Sequence, residues 1–339
     1  MTPMVTVSLD AVIPMLCVVM AALAVMGAEA FRAKGEQMPF GGLGIIGLAG
    51  AAVSAAFLWN RNASSFGVIV ADNFGLFVTV TLVVVGILTL MFSSQVIRQD
   101  EIPQGEYHAL VLFALVGMIM MATANDLLVI FVALEIMSLA VYVLTGIRRD
   151  NPQGSEAAFK YFLLGAFSSA FFLYGSALLY GFSSSIDLPV IADQITAKPS
   201  QSWVLMIGAA FVLIGLLFKV GAVPFHQWVP DVYQGAPTPL TGFMAAAVKV
   251  AAFGALLRVM YVALGGARWD WQPLLWIIAI LTMLVGVVVA IAQTDIKRMI
   301  LLNCQLPAHR IGDLRAQMAS NRMGNERLRK LCEIGRASC

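Results

Sequence analysis

Nine long apolar runs constrain the fold of this chain more than any other feature of its sequence. A helix needs roughly 20 residues to cross a hydrocarbon core about 30 Å thick. Because the polar joints between the runs are short, no polar face is left for a soluble helical bundle. The sequence therefore predicts an all-α polytopic membrane protein with about nine transmembrane helices. The runs lie at about 9–29, 39–59, 73–95, 107–123, 126–147, 157–182, 203–222 with a continuation to about 233, 237–263 and 273–293.

The composition agrees with this class and excludes others. The 339 residues are 60% hydrophobic and only 12% charged, which is more apolar surface than one soluble core encloses. The net charge of +2 reflects basic residues near the C-terminus, so it gives no indication of a nucleic-acid partner. The four cysteines show no spacing typical of zinc, haem or an iron–sulfur cluster. We expect no redox cofactor and no metal in this chain.

The first apolar run could be taken for a signal peptide, because Ala28-Glu29-Ala30 resembles a small-x-small cleavage site. The N-terminus, however, has no basic residue and contains Asp10, and further runs follow. We therefore expect a retained helix.

Arg258 and Asp126 lie near the ends of their runs, and we interpret them as interfacial anchors.

Lysine and arginine indicate the orientation, since basic loops stay on the cytoplasmic side. Loops that follow odd-numbered runs hold more of these residues than loops that follow even-numbered runs, which predicts an outward-facing N-terminus. The first set comprises Arg32, Lys34, Arg98, Arg148, Arg149, Lys297 and Arg298, and the second comprises Arg61, Lys198 and Arg268.

Three ionisable residues, Glu135, Lys219 and Lys249, lie near the middle of apolar runs. A charge in hydrocarbon costs a few kcal/mol or more, so such residues usually line a polar path or bind an ion. A carboxylate and an amine in a low dielectric are strongly coupled, and the proton affinity of one then depends on the position of the other. The alternatives are a static ion pair for Glu135 and snorkelling to an interface for Lys249.

The most irregular segment is KVGAVPFHQWVPDVYQGAPTP, which begins at Lys219. Proline disrupts a helix, and broken helices occur within membranes where protein or water satisfies the freed backbone groups. We predict a discontinuous helix here, with Lys219 and His226 flanking the break, an arrangement suited to proton passage. The alternative is an ordinary loop that leaves the membrane at Gly221. The prolines that define the break are Pro224, Pro230, Pro237 and Pro239.

Three segments give the chain a specific resemblance: VPFHQWVPDVYQGAPTPLTGF, ANDLLVIFVALEIMSLAVYVL and GSEAAFKYFLLGAFSSAFFLYGSALLYG. They resemble the subunit N family of bacterial respiratory complex I, the proton-translocating NADH:quinone oxidoreductase. The pattern PxHxWxPD is shared with other antiporter-like subunits and with multisubunit cation/proton antiporters, whereas VYQGAPTP and ALEIMSLAVYVL are similar to subunit N in particular. The resemblance runs from the first apolar run to Met299.

The resemblance implies roles for five residues. Glu135 on the fifth helix would pair with Lys219 on the broken seventh helix, and Lys249 would be the central lysine of the eighth. Lys160 would be the basic residue that opens the sixth helix, although its position also allows it to reach headgroups. His226 would lie on a hydrated central axis.

The resemblance also implies a setting. The chain would move protons across the bacterial inner membrane during respiratory electron transport, beside other membrane subunits of the complex. NADH, FMN, iron–sulfur clusters and quinone would be bound by partner subunits. Two other functions stay open: a subunit of a multisubunit cation/proton antiporter, and a structural membrane scaffold that conducts nothing.

The resemblance divides the chain into four parts. We expect an N-terminal three-helix packing module at 1–100, a first antiporter-like repeat at 101–265 that forms the translocation module, and the first helix of a largely missing second inverted repeat at 266–299. The polar, basic residues 300–339 resemble nothing in the family. We expect a frameshifted or chimeric end there; the alternative is a peripheral amphipathic helix at about 312–331. Without the exit lysine of the second repeat, the chain alone would not complete translocation.

Overall fold

The computed structural model describes residues 9–32, 38–197 and 203–291. Within these ranges nine helical segments are long and apolar enough to cross a membrane, as predicted. They are Asp10–Ala30, Phe40–Phe57, Asn73–Gln99, Gln104–Thr123, Leu127–Thr145, Pro152–Ser183, Trp203–Val220, Thr238–Ala263 and Gly265–Val289.

The described part of the chain contains twelve α-helices and one β-hairpin. The helices are α1 (Ile13–Ala30), α2 (Phe40–Phe57), α3 (Asn73–Gln99), α4 (Gln104–Thr123), α5 (Leu127–Thr145), α6 (Pro152–Ser183), α7 (Leu188–Ala197), α8 (Trp203–Val220), α9 (Trp228–Gly235), α10 (Thr238–Phe243), α11 (Lys249–Arg258) and α12 (Arg268–Ile291). Strands β1 (Ala63–Ser65) and β2 (Ile69–Ala71) pair antiparallel. Two π-helical turns, Met244–Val248 and Val259–Ala263, flank α11. The hairpin, α7 and the π-helical turns were not predicted from the sequence.

Polar caps set the first turns of three membrane helices. The Asp72 carboxylate accepts from Gly75 N at 2.8 Å at the start of α3. The Asp126 carboxylate accepts from Leu128 N at 2.7 Å and from Val129 N at 2.9 Å at the start of α5. Asn151 caps α6 in the same way. Such caps satisfy backbone donors that have no partner within the helix.

Glycine allows the closest helix contacts, and α6 packs against α8 more extensively than any other pair of elements. A Cβ atom at Gly175 of α6 would lie 2.6 Å from Val212 N and 2.7 Å from Gly208 O of α8. Likewise, a Cβ atom at Gly117 of α4 would lie 2.5 Å from Met137 N of α5. Small residues at such positions let helix backbones meet within a bilayer. These contacts fix α5, α6 and α8 relative to their neighbours.

Internal contacts divide the chain between Thr282 and Met283, and the structure describes Met283–Ile291 of the second unit. The expected boundaries at residues 100, 265 and 299 stay predictions. The tail 300–339, with its alternative amphipathic helix at 312–331, lies outside the described residues.

Candidate functional site

The predicted helix break is present. Helix α8 ends at Val220 and α9 begins at Trp228. Gly221 adopts a φ of +78°, which an L-amino acid with a side chain rarely takes, and it terminates α8. Within the break, Val223 N donates to Thr282 Oγ1 at 3.0 Å, so a side chain from α12 satisfies one freed backbone group.

The four prolines occupy distinct places around this break. Pro224 lies within it, Pro230 lies in the first turn of α9, Pro237 precedes α10, and Pro239 lies in the first turn of α10. Proline is tolerated in a first turn because the backbone donor it removes has no partner there. The ordinary-loop alternative does not hold, because α9 packs against α6 and buries most of its residues.

Lys219, in the last turn of α8, lies inside an aromatic cage. Its side chain is almost fully buried, and its Nζ donates to the Tyr142 hydroxyl at 3.0 Å. The same Nζ lies 4.9 Å from the ring centroid of Tyr142, 5.2 Å from that of Tyr161 and 5.7 Å from that of Phe218. A desolvated ammonium is attracted to such ring faces. The cage therefore stabilises a cation without placing a carboxylate against it.

The aromatic cluster also attaches α9 to the end of α8. Trp228 stacks on Tyr161 at 4.4 Å between ring centroids and lies 5.3 Å from the Phe218 ring. Its indole Nε1 donates to Phe218 O at 3.1 Å. That carbonyl also accepts from Gly221 N at 3.0 Å, just past the end of α8. Trp228 thus holds the two halves of the broken helix together beside Lys219.

Glu135 lies on α5, the helix that also carries Tyr142. Its Oε1 is buried and has no hydrogen-bond partner among the described residues. Glu135 is within electrostatic range of both Lys219 and Tyr142. The direct Glu135–Lys219 ion pair implied by the family resemblance is nevertheless not formed among the described side chains, because Lys219 Nζ turns to the tyrosine hydroxyl instead.

Lys249 is the first residue of α11, directly after the π-helical turn Met244–Val248. It lies near the middle of the eighth span, and its side chain is buried. This position excludes snorkelling to an interface. Helix α11 packs against α8, which places the helix of Lys249 beside the helix of Lys219. Single π-helical turns within α-helices often occur at functional sites.

His226 lies in the break itself, between α8 and α9. Its Nδ1 is buried and makes no hydrogen bond to any described residue. A buried imidazole nitrogen at this position can bind a water molecule or exchange a proton.

Lys160 lies in the third turn of α6 and is about half exposed. Its Nζ lies 2.7 Å from Glu156 Oε1, one turn earlier, and 3.1 Å from Asp231 Oδ2 on α9. The contact with Asp231 links α6 to the second half of the broken helix. In this structure Lys160 is held by two carboxylates, whereas Lys219 is held by a phenol.

The sequence did not point to Tyr142 or Tyr161. A signal was present for Tyr142, since it follows Glu135 by seven residues, which places the two on the same helix face. The interpretation of Arg258 and Asp126 as interfacial anchors was wrong, because both are buried. Arg258 binds Asp72 Oδ1 at 2.6 Å and Ala122 O at 3.1 Å, and Asp126 is the N-cap of α5.

Comparison with known proteins identifies the family. Residues 124–302 match the family model described as NADH:quinone oxidoreductase/Mrp antiporter, TM. The chain is 60% identical over 196 residues to NADH-quinone oxidoreductase subunit N of Nocardioides sp., a match that covers 58% of this chain and 37% of that protein. It is 41% identical over 297 residues to subunit N of Trichlorobacter lovleyi, covering 87% of this chain and 61% of that protein.

A solved structure supports the same assignment. A chain in the structure of respiratory complex I from Thermus thermophilus with bound aureothin superposes with a TM-score of 0.72 at 33% identity. The match covers 86% of this chain and 61% of that one, so the present chain spans less than two thirds of each of these three proteins. The chain belongs to the NADH:quinone oxidoreductase/Mrp antiporter family of transmembrane proteins, in which the curated relatives named above are subunits N.

Proposed function

We propose that this chain is the proton-translocating subunit N of an NADH:quinone oxidoreductase in the bacterial inner membrane. The observation that carries the proposal is the buried Lys219 at a broken helix, with the Glu135 carboxylate, whose Oε1 is buried, within electrostatic range. An ionisable amine and an ionisable acid within membrane helices cost free energy. Residues of this kind usually line a pathway for ions or protons.

The carboxylate acts as the switch and the amine as the carrier. When Glu135 lies against Lys219, the ion pair holds the proton on the amine. When the two separate, Lys219 is left with neutral partners, and it gives the proton to the next acceptor. Because the medium has a low effective dielectric, a movement of a few ångströms changes this coupling substantially. Redox-driven movement of α5 or α8 would therefore load and unload the amine.

Lys249 receives the proton that Lys219 releases. Helix α11 packs on α8, and the unpartnered His226 Nδ1 lies in the break, so ordered water and the imidazole supply the connection. Lys160 has a supporting part in this scheme, since its contact with Asp231 positions α9 and the aromatic cluster against α6. The second repeat would supply the route to the opposite side.

Partner subunits supply the redox chemistry. The curated relatives are named as subunits of an NADH-quinone oxidoreductase, so the electron transfer from NADH to quinone belongs to the assembled complex. By the family resemblance, FMN and iron–sulfur clusters are bound by other chains. The neighbours of this chain would be the other membrane subunits of the complex.

A cation/proton antiporter subunit is the second candidate, because the family model covers Mrp antiporters as well. The relatives named above are oxidoreductase subunits and favour the first proposal.

A membrane scaffold that conducts no protons is the third candidate function. It would tolerate the loss of both Glu135 and Lys219.

The test is NADH-driven proton uptake by inverted membrane vesicles, measured in parallel with quinone reduction by the complex that contains this chain. We expect Lys219→Met and Glu135→Gln to lower the number of protons moved per NADH oxidised. Arg268→Met, at an exposed position at the start of α12, is the control for loss of a positive charge. Undiminished proton uptake by Lys219→Met would overturn the proposal in favour of the scaffold.

A further inference from the structure

We propose that Tyr142 provides a second binding position for the Lys219 amine, which the lysine occupies whenever it leaves Glu135. The inference rests on the proposed function and assigns a positioning role to a residue that the family resemblance did not indicate. In this structure the lysine occupies the Tyr142 position, as its 3.0 Å hydrogen bond to the phenol shows.

The helix geometry separates the two positions by about one turn. Tyr142 lies two turns after Glu135 on the same face of α5, and helical side chains lean toward the N-terminus. The hydroxyl therefore lies beside Ser138, one turn from Glu135. One helical turn is roughly 5 Å, whereas a hydrogen bond spans about 3 Å. The amine moves between the two groups rather than binding both at full strength.

The chemistry of a phenol suits this role. A tyrosine hydroxyl both donates and accepts hydrogen bonds, whereas an ionised carboxylate only accepts. The phenol can accept from the ammonium and can donate to the neutral amine, so it holds Lys219 in both protonation states. The rings of Tyr142, Tyr161 and Phe218 surround the amine, which is almost fully buried. A lysine that gives up its proton here keeps its place.

Helix α6 leaves space for the Tyr142 hydroxyl at Gly165. A Cβ atom at Gly165 of α6 would overlap Tyr142 Oη and would lie 2.6 Å from its Cζ. The tyrosine can hold its hydroxyl at this point only because residue 165 has no side chain. Gly165 therefore gives a second way to disturb the Tyr142 position, from another helix and without changing either partner of the hydrogen bond.

Two variants of the whole complex test the inference. Tyr142→Phe keeps the ring and removes the hydroxyl, and Gly165→Ala displaces the hydroxyl from α6. A hydrogen bond to a charged donor changes the population of a position on the order of tenfold, so we expect both variants to lower the protons moved per NADH oxidised several-fold. Tyr174→Phe, on the exposed side of α6, is the matched control and should pump normally.

A spectroscopic readout separates positioning from a structural role. The infrared C–O stretch of ring-labelled tyrosine responds to hydrogen bonding at the hydroxyl. We expect one component of this band to disappear in Tyr142→Phe and to shift in Lys219→Met. Thermal unfolding of each variant in detergent confirms that it is folded. Adding Tyr142→Phe to Lys219→Met should change proton uptake no further, because the tyrosine acts through the lysine.

The failure of this inference is distinct from the failure of the proposed function. If Lys219→Met pumps normally, the proposed function falls. If Lys219→Met loses proton uptake while Tyr142→Phe and Gly165→Ala match the unaltered complex, and the tyrosine band is unmoved by Lys219→Met, then Tyr142 has no positioning role and the function stands.

Discussion

At the scale of single residues, the buried cations Arg258 and Lys219 differ in the kind of group to which they donate. Arg258 has a carboxylate partner, Asp72, at 2.6 Å. A close ion pair of this kind is held in one geometry. The Lys219 amine instead donates to a neutral phenol within a ring cage. A neutral partner holds a cation less firmly than a carboxylate does, so we expect Lys219 to change its position more readily than Arg258.

The N-cap of α5 gives a pH-dependent prediction. Asp126 is only 3% exposed, and burial raises its pKa above the ordinary value of 3.8; the bonds from Val129 N and Leu128 N oppose this rise, and the nearby Asp187 adds to it. An acid with a raised folded-state pKa contributes stability that is complete below its ordinary pKa and is lost as the pH rises through the raised value. The stability that Asp126 contributes should therefore fall as the pH rises from about 4.

Asp126→Asn keeps a capping side chain and removes the charge. We expect the unfolding temperature of Asp126→Asn, relative to that of the unaltered protein, to rise between pH 4 and pH 7, measured by thermal denaturation in detergent. Asp193→Asn, at an exposed position on α7, is the control. Equal pH slopes for Asp126→Asn and the unaltered protein would contradict the assignment.

At the scale of elements, the sequence predicted the membrane spans and the helix break. It did not predict the π-helical turns, the β-hairpin or α7. The nine spans follow from apolar length, and the helix break at 221–227 follows from the cluster of prolines around it. The π-helical turns at the two ends of α11 left no signal, because one extra residue per turn changes neither hydrophobicity nor length. The three-residue strands and the ten-residue α7 are too short to be recognised from their residues alone.

The same division holds for the site. Glu135, Lys219 and Lys249 could be found because a charge within an apolar run is conspicuous. Tyr142 could not be assigned from the sequence, since a tyrosine in a membrane helix is common and only the approach of α8 and the gap at Gly165 make it a partner. The position taken by Lys219 depends on side-chain geometry across three helices, which residue spacing within one helix does not determine.

The contact between α6 and α8 gives an element-scale prediction. Gly175→Ala would place a Cβ atom against backbone atoms of α8, which cannot yield as a flexible side chain can. Overpacking of this kind costs about 1–3 kcal/mol, so we expect a lower unfolding temperature and, on the proposed function, weaker proton uptake through displacement of Lys219. Gly181→Ala on the same helix is the matched control, because a Cβ atom there meets nothing within 4 Å. Similar unfolding temperatures for the two variants would show that the helices separate without cost.

At the scale of the whole molecule, one guanidinium joins the expected packing module to the expected translocation module. Arg258, at the end of α11, donates through Nη2 to Asp72 at the start of α3 and through Nε to Ala122 O in the last turn of α4. A cation near the end of α4 also complements the negative end of its helix dipole. Three helices from the two predicted modules thus meet at one side chain, beyond the apolar contacts between them.

Removing this guanidinium should loosen the junction. Arg258→Met keeps much of the apolar side-chain stem but leaves Asp72 and Ala122 O without the donor. Breaking a buried ion pair costs about 3–5 kcal/mol, and the exposure of the Asp72 side chain, 35%, lowers the expected loss to the bottom of that range or below. The measurement is the unfolding temperature of Arg258→Met, Asp72→Asn and the double variant, with the exposed Arg268→Met as the control. Because Asp72 and Arg258 act as a pair, the double variant should be less destabilised than the sum of the two single variants, and full additivity would show that the modules are held by apolar packing alone.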